Sequence, residues 1–216
     1  KYVVLVNSGT SALDLILRSI KRKEKSEVII SPISFVATAN VLKYNNINPI
    51  FVDVEKASYG ICPIKLDKKL KKIVQIRNNK PYNKKSGKLI SGILPTHVFG
   101  KPCKIIEIKK IANRFRIPVI EDSAEALGSY FNSKHVGTFG LAGALSFNGN
   151  KIITTGAGGA VITNNRSIYK KVLHLASVSK KPHLWRFYHD KVGYNYRMPN
   201  INAALGYSQI KKIKNL

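Results

Sequence analysis

The sequence predicts an α/β fold in which helices cover both faces of a mostly parallel central sheet. Short apolar, β-branched runs alternate with helical patterns as far as residue 122, and this alternation is typical of parallel strands joined by crossover helices. With 216 residues and 44% hydrophobic content, the chain can bury a full core. We therefore expect one large domain over residues 1–216.

The alternation can be followed element by element. In the first part of the chain, strands are expected at 3–6, 28–30, 50–53, 89–95 and 119–122. Helical patterns lie at 11–23, 36–44, 64–73 and 105–115. The Lys- and Asn-rich stretch 78–88 is interpreted as a surface excursion.

The pattern changes after residue 140. Two further strands are expected at 144–147 and 160–163, joined by a glycine-rich turn, and two helices at 167–175 and 202–213. The chain begins directly in an apolar, strand-like stretch and stops directly after a helical pattern. We therefore expect a piece that is truncated at both ends.

The net charge of +26 would suit a nucleic-acid or polyphosphate partner. The lysines, however, are spread along the whole chain, and the basic clusters at 21–23 and 68–72 fall on the polar faces of predicted helices. No aromatic-interleaved basic stripe, zinc-finger or RNA-recognition motif accompanies them. The charge is therefore interpreted as solvated helix faces, with no nucleic-acid partner.

The two cysteines, Cys62 and Cys103, have no metal-ligand spacing and cannot form a disulfide framework. They are expected to be reduced thiols of a cytoplasmic protein. No apolar run approaches the length that would span a bilayer, so no membrane contact is expected.

Ligands of open α/β sheets collect beyond the carboxyl ends of the strands, and three such ends carry unusual residues. The first is N-S-G-T-S-A-L at 7–13, between a strand and a helix. Small residues there would let the backbone approach a ligand, and N–H groups at a helix start favour a phosphate. Ser and Thr are also good N-caps, so capping alone is the alternative interpretation.

The second strand end is E-D-S-A-E at 121–125, in a chain with only 11 acidic residues. A carboxylate at this point can pair with a cationic ring nitrogen or a metal ion. Neither a histidine nor a further carboxylate stands nearby at ligand spacing, so no metal site is expected. A structural salt bridge with surrounding lysines remains the alternative.

The third strand end is S-F-N-G-N-K at 146–151, ahead of a glycine-rich turn. A lysine amine that Phe and Ile side chains shelter becomes nucleophilic towards an aldehyde, although any one lysine of this chain could lie at the surface. A phosphate seat, an acid for a ring nitrogen and an amine for an aldehyde are together what pyridoxal phosphate requires.

Collinear segments along essentially the whole chain match one known family. They are N-S-G-T-S-A-L at 7–13, P-I-S-F-V-A-T-A-N at 32–40, P-T-H-V-F-G at 95–100, E-D-S-A-E-A-L-G-S at 121–129, G-T-F-G at 137–140, S-F-N-G-N-K-I-I-T-T-G at 146–156 and G-Y-N-Y-R-M-P-N-I-N-A-A-L-G at 193–206. The chain thus resembles the DegT/DnrJ/EryC1/StrS sugar aminotransferases, which bind pyridoxal phosphate and have the fold-type I architecture. The segment 183–198 is most similar to a branch that makes 4-amino sugars on the route to legionaminic-type nonulosonic acids.

The resemblance implies a role for each site residue. Lys151 would hold the cofactor covalently, and Asp122 would keep its pyridine nitrogen protonated. Phe35 would stack on the ring, with packing under a helix as the alternative. Phosphate or near-phosphate contacts are implied for Ser8, Gly9, Thr10 and Ser146.

Three further positions concern variation and assembly. Glu125 stands near the ring hydroxyl, where many relatives carry Gln, and Asn148 stands where others carry His. Both variants occur in the 4-amino branches. Asn195 matches the residue that reaches the phosphate from the neighbouring subunit, which implies a homodimer with shared sites; a turn residue is the alternative.

The activity that the resemblance implies is transamination, with glutamate as the amino donor and a UDP-linked 4-keto-6-deoxy sugar as the acceptor. Dehydratase relatives carry histidine in place of the lysine, so Lys151 favours transamination. Members usually continue into a small C-terminal domain, which is expected to be largely missing. The alternatives are an aminotransferase like GDP-perosamine synthase and an inactive fragment that binds pyridoxal phosphate.

Overall fold

The structure is a computed structural model that describes residues 1–20 and 25–213. Its strands are β1 (Tyr2–Val6), β2 (Glu27–Ile30), β3 (Asn48–Phe51), β4 (Val74–Arg77), β5 (Lys80–Asn83), β6 (Ile90–Leu94), β7 (Ile120–Asp122), β8 (Tyr130–Phe131), β9 (Lys134–His135), β10 (Ala142–Ser146) and β11 (Gly159–Thr163). Its helices are α1 (Gly9–Ser19), α2 (Val36–Tyr44), α3 (Pro63–Ile73), α4 (Ile105–Arg114), α5 (Arg166–Ala176) and α6 (Asn200–Ile210), and a short 3-10 turn covers Val98–Gly100.

The main strands form one mostly parallel layer. Strands β3, β2 and β6 pair in parallel, and β7 pairs in parallel with β10. Isolated parallel bridges, Ile93 to Val119 and Thr96 to Asp122, connect the two groups. Strand β11 pairs antiparallel with both β10 and β1, so it alone runs against the others. The predicted α/β class is confirmed, and the carboxyl ends of β1, β7 and β10 meet at one edge.

Helices cover both faces of this layer. Val28 and Ile30 of β2 belong to one apolar cluster, which includes residues of α1, α2 and α5. Ile29 of the same strand belongs to a second cluster, which includes residues of α3 and α4. Because successive strand residues point to opposite faces, the two clusters lie on opposite sides of the sheet.

Two predicted elements differ from the structure. Helix α1 ends at Ser19 because Ile20 takes an extended backbone conformation, and the basic cluster at 21–23 lies outside the described residues. The stretch 78–88 is not a plain surface excursion, since β4 and β5 pair as a hairpin. Its residue Asn83 is buried and donates from Nδ2 to Glu27 Oε2 over 2.8 Å.

The basic run at 68–72 lies on the outer side of α3, where its four lysines are exposed and Leu70 is buried. This agrees with the interpretation of the run as a solvated helix face. Among the described helices, none is both long and apolar enough to cross a membrane.

Candidate functional site

A cavity of about 280 Å³ lies at the edge where β1, β7 and β10 end. All but one of the cofactor residues expected from the sequence line it; they are Ser8, Gly9, Thr10, Phe35, Asp122, Glu125, Ser146, Asn148 and Lys151. The exception is Asn195. The structure thus brings four distant sequence segments to one concave surface.

One wall of the cavity is the start of α1. Ser8 is the N-cap, and its Oγ accepts a hydrogen bond from the Ser11 N–H over 3.0 Å. Gly9 and Thr10 are the first two helical residues, so their N–H groups have no partner within the helix. Ser8 therefore caps the helix while the N–H groups of Gly9 and Thr10 remain without a helical acceptor. This makes the wall suited to an anion.

Two glycines bring this helix start close to the sheet. A Cβ on Gly9 would lie 2.8 Å from the Cβ of Ser146 at the end of β10. A Cβ on Gly159 would lie 2.5 Å from the carbonyl carbon of Ser8. Both distances are shorter than any tolerable contact, so the cradle formed by α1, β10 and β11 depends on glycine at both positions.

Asp122, the last residue of β7, supplies a buried carboxylate to the cavity and is only 4% exposed. Its Oδ2 accepts from Thr38 Oγ1 over 2.6 Å, and its Oδ1 accepts from the Ala124 N–H over 3.2 Å. Burial raises the pKa of this carboxyl, and the hydrogen bond from Thr38 acts in the opposite direction. A cationic ligand atom beside Asp122 would favour the ionised form.

Lys151 extends into the same cavity, and its side chain is 15% exposed. Its Nζ donates to Glu125 Oε1 over 3.0 Å. The other carboxylate oxygen of Glu125 accepts from the Phe99 N–H, also over 3.0 Å. The alternative of a solvated surface lysine therefore does not describe Lys151.

Glu121, the neighbour of Asp122, has a purely structural environment that the sequence did not indicate. It is fully buried, and its carboxylate accepts from the N–H groups of Gly137 and Gly140 over 2.7 and 2.6 Å. His97 Nδ1 accepts from the Cys103 N–H, so its Nε2 carries the proton and donates to Glu121 over 3.1 Å. Glu121 thereby ties the segment that follows β9 to the edge of the cavity.

Phe35 is the N-cap of α2 and is 76% exposed, so the alternative of packing under a helix is wrong. Thr38 follows one helical turn later and lines the same cavity. Asn7 and Thr96 also line it, and no role was predicted for Thr38, Asn7 or Thr96. The three-residue spacing of Phe35 and Thr38 is the one available signal, because residues three apart share a helix face.

Asn195 lies elsewhere in the chain's own fold. It is exposed and lines a separate groove of about 800 Å³ together with Lys180, Lys181 and Arg197. It also forms an isolated antiparallel bridge with Ser177. Within one chain, the structure does not bring Asn195 to the cavity that contains Lys151.

Two further histidines, His183 and His189, have local partners. His183 accepts at Nδ1 from the N–H groups of Trp185 and Arg186, and His189 donates from Nδ1 to the Val178 carbonyl. In residues 1–20 and 25–213, no three His, Cys, Asp or Glu side chains are grouped so that they could hold a metal ion.

Comparison with known proteins gives the context for this cavity. The model of the DegT/DnrJ/EryC1/StrS aminotransferase family matches residues 1–216. The chain belongs to this family. Its cofactor is pyridoxal phosphate, and its fold is that of the fold-type I sugar aminotransferases.

Individual relatives agree with the family assignment. The chain is 37% identical over 98% of its length to GDP-perosamine synthase of Escherichia coli O157:H7, and 32% identical over 98% to UDP-4-amino-4,6-dideoxy-N-acetyl-beta-L-altrosamine transaminase of Helicobacter pylori. The solved structure of Helicobacter pylori PseC, an aminotransferase involved in the biosynthesis of pseudoaminic acid, matches all of the chain with a TM-score of 0.87 and 32% identity. The chain spans 54%, 53% and 54% of these proteins, about half of each.

The residues of the cavity fit pyridoxal phosphate. The glycine-dependent cradle at the start of α1 suits a phosphate, and the buried Asp122 suits a cationic ring nitrogen. Asn7 adds an unused acceptor, because its Oδ1 is buried and has no hydrogen-bond partner within the described residues. Lys151 supplies a primary amine in the same space.

The Glu121 network gives a first testable prediction. Glu121→Ala leaves the donors on His97, Gly137 and Gly140 buried and unpaired, and we expect the free energy of unfolding to fall by roughly 3 kcal/mol. Urea denaturation measures this. The control is Glu107→Ala on the exposed side of α4, which should change stability by less than about 0.5 kcal/mol. Equal effects of the two variants would contradict the structural role.

Proposed function

We propose that this chain is the cofactor-binding part of a pyridoxal-phosphate-dependent aminotransferase that acts on a nucleotide-linked keto sugar. The observation that carries the proposal is that Lys151, Asp122 and the start of α1 face one cavity. Membership of the aminotransferase family over the whole chain supports it. Because the chain spans about half of its relatives, the activity belongs to the proposal.

In this proposal, pyridoxal phosphate supplies, when bound, an electron-withdrawing ring next to the carbon that loses or gains the amine. Asp122 accepts a hydrogen bond from the ring nitrogen and holds its proton there. Lys151 Nζ would hold the cofactor at rest, and as general base and acid it would move the proton that the substrate carbon loses.

The other cavity residues bind and orient. Ser8, Gly9, Thr10 and Ser146 hold the phosphate, where backbone donors of α1 and hydroxyl groups converge. Phe35 would cover one face of the ring, which its exposed position at the cavity supports. Glu125 and Asn148 would lie near the ring hydroxyl, and Glu125 would have to release Lys151 Nζ before that amine can react.

The cofactor role of Lys151 gives the second prediction. We expect the purified protein to turn yellow with pyridoxal phosphate and to bleach when glutamate is added, as followed by visible absorbance. Lys151→Ala should lose the yellow species and slow the conversion by glutamate at least about 100-fold, because the amine that bonds and moves the proton is gone.

The control for this experiment is Lys69→Ala, which removes an exposed lysine of α3 and should behave as wild type. If Lys151→Ala and wild type have the same spectra, the proposal is wrong. If the lysine traps the cofactor on borohydride reduction but no donor converts it, the chain is an inactive cofactor-binding fragment. Steeply salt-dependent binding of nucleic acid without cofactor absorbance would instead support the charge-driven alternative.

For the substrate, we propose a UDP-linked 4-keto-6-deoxy sugar, with glutamate as donor and a 4-amino sugar for nonulosonic acid or surface polysaccharide as product. The altrosamine transaminase relative supports a UDP-linked 4-amino sugar, and PseC, from pseudoaminic acid biosynthesis, supports a route of this type. The segment 183–198 supports the legionaminic-type branch. The second candidate is a GDP-linked sugar, which the 37% identity to GDP-perosamine synthase favours.

The third prediction separates these two substrates. We expect amine transfer to the UDP-linked keto sugar with a kcat/KM at least about tenfold above that for the GDP-linked one, because a site built for one nucleotide leaves polar groups unpaired with the other. Release of 2-oxoglutarate from glutamate measures the transfer. The reverse preference would establish the perosamine-type alternative and overturn the UDP assignment.

For the assembly, we propose a homodimer in which Asn195 reaches the cofactor phosphate of the partner. The separation of Asn195 from the cavity of its own chain supports a site completed by a second copy. Exposed apolar side chains support a covered interface, since Leu184, Trp185 and Phe187 are all more than 80% exposed. Helix α6 has no buried residue.

Subunit mixing gives the fourth prediction. When the inactive variants Lys151→Ala and Asn195→Ala are mixed and allowed to exchange subunits, about a quarter of the sites should regain both wild-type residues and activity, because each mixed dimer contains one intact shared site. The matched control mixes Lys151→Ala with Asp122→Asn, which line the same cavity of one chain and regenerate no intact site. Equal recovery in both mixtures, or none in either, would refute the shared site.

A further inference from the structure

We infer that Thr38 is a positioning residue that holds the Asp122 carboxylate as an acceptor for a cationic ring nitrogen. The inference rests on the proposed function and deepens it. It assigns a task to a residue of α2 that lines the cavity but is not among the residues matched to the cofactor.

The contact between these two residues is short and buried. Thr38 Oγ1 lies 2.6 Å from Asp122 Oδ2, and the two residues are 1% and 4% exposed. An ionised carboxylate can only accept, so the single hydroxyl proton of Thr38 must point at Asp122. Threonine in a helix commonly donates instead to a carbonyl three or four residues earlier in the same helix. Here the proton goes to a strand 84 positions away in the sequence.

A second hydroxyl supports the first. Ser34 Oγ donates to Thr38 Oγ1 over 2.6 Å, and Thr96 Oγ1 lies 3.3 Å from Ser34 Oγ. Because Thr38 gives its proton to Asp122, its oxygen is free to accept from Ser34. The hydroxyl groups therefore form a chain with one direction that ends on the carboxylate, and hydrogen bonds in such chains polarise and strengthen one another.

The contact also opposes the cost of burying a carboxylate. Burial raises the pKa of Asp122, and the hydrogen bond from Thr38 is the largest influence that lowers it. Without that hydrogen bond, the carboxyl group would shift towards its protonated form. A protonated Asp122 would have less capacity to accept a hydrogen bond from the ring nitrogen.

The fifth prediction concerns variants of the Thr38 hydroxyl. Thr38→Val keeps the shape and removes the hydroxyl, and we expect it to raise the Kd for pyridoxal phosphate at least about tenfold, as fits the loss of a hydrogen bond to a charged group. Thr38→Ser keeps the hydroxyl and should stay within about threefold of wild type. Fluorescence titration of the cofactor-free protein measures both values.

A double-mutant cycle tests whether Thr38 acts through Asp122. In the Asp122→Asn background the charge is gone, so Thr38→Val should raise the Kd by no more than about threefold. A tenfold rise in the Kd in that background would overturn the inference, because Thr38 would then affect cofactor binding without acting through the Asp122 charge. Wild-type affinity of Thr38→Val would overturn it too. Equal losses in the Val and Ser variants would also overturn it, because they would show that keeping the hydroxyl does not preserve the affinity.

Two further outcomes are distinguishable from these. If Thr38→Val fails to fold, Thr38→Ala removes the same hydroxyl without adding bulk and is expected to show the same tenfold loss and the same dependence on Asp122; wild-type affinity would overturn the inference. If the wild-type protein itself does not bind pyridoxal phosphate, the proposed function fails and the inference fails with it. If the wild-type protein binds pyridoxal phosphate tightly and removal of the Thr38 hydroxyl leaves the Kd unchanged, only the role of Thr38 is overturned.

Discussion

The burial of the Asp122 carboxylate at the end of β7 is the constraint on which the site depends. A buried charge is costly unless it has hydrogen-bond partners, and here Thr38 and the Ala124 N–H supply two. Asp122 lines the cavity, so its carboxylate can accept further hydrogen bonds from a ligand there. Lys151 does not neutralise Asp122, because its amine is paired with Glu125. The architecture therefore places a carboxylate without an ion pair to Lys151 at the cavity, where a cationic heterocycle can bind it.

The path of the chain explains why these groups meet. Strands β1, β7 and β10 end at one edge because only β11 runs against them. That reversed strand begins at this edge with Gly159, whose missing side chain leaves room for the backbone of Ser8. The start of α1 can therefore rest on the sheet within the same cavity as Lys151. A phosphate seat and an amine thus become neighbours although more than half of the sequence separates them.

Local signals in the sequence predicted much of this arrangement, and long-range contacts account for what they missed. The bounds 36–44 of α2, the position of Asp122 at the end of β7 and that of Lys151 in the turn after β10 follow from patterns within a few residues. The end of α1 at Ser19 did not, because the charged residues after it are ordinary helix formers. The burial of Asn83 depends on Glu27, 56 positions away, and Thr38 meets Asp122 across 84. Such pairings have no local sequence pattern.

The three acids at 121–125 show how position, rather than composition, decides chemistry. Glu121 and Asp122 are adjacent in a strand and point to opposite faces, so one meets the N–H groups behind the sheet and the other lines the cavity. Glu125 lies beyond the strand and pairs with Lys151. In a chain of net charge +26, lysine and arginine side chains are abundant. The partner that each of these three acids contacts is therefore set by its position in the fold. Of these three acids, Asp122 is the one that lines the cavity without an ion pair to a lysine, so it indicates the ligand more directly than the overall charge does.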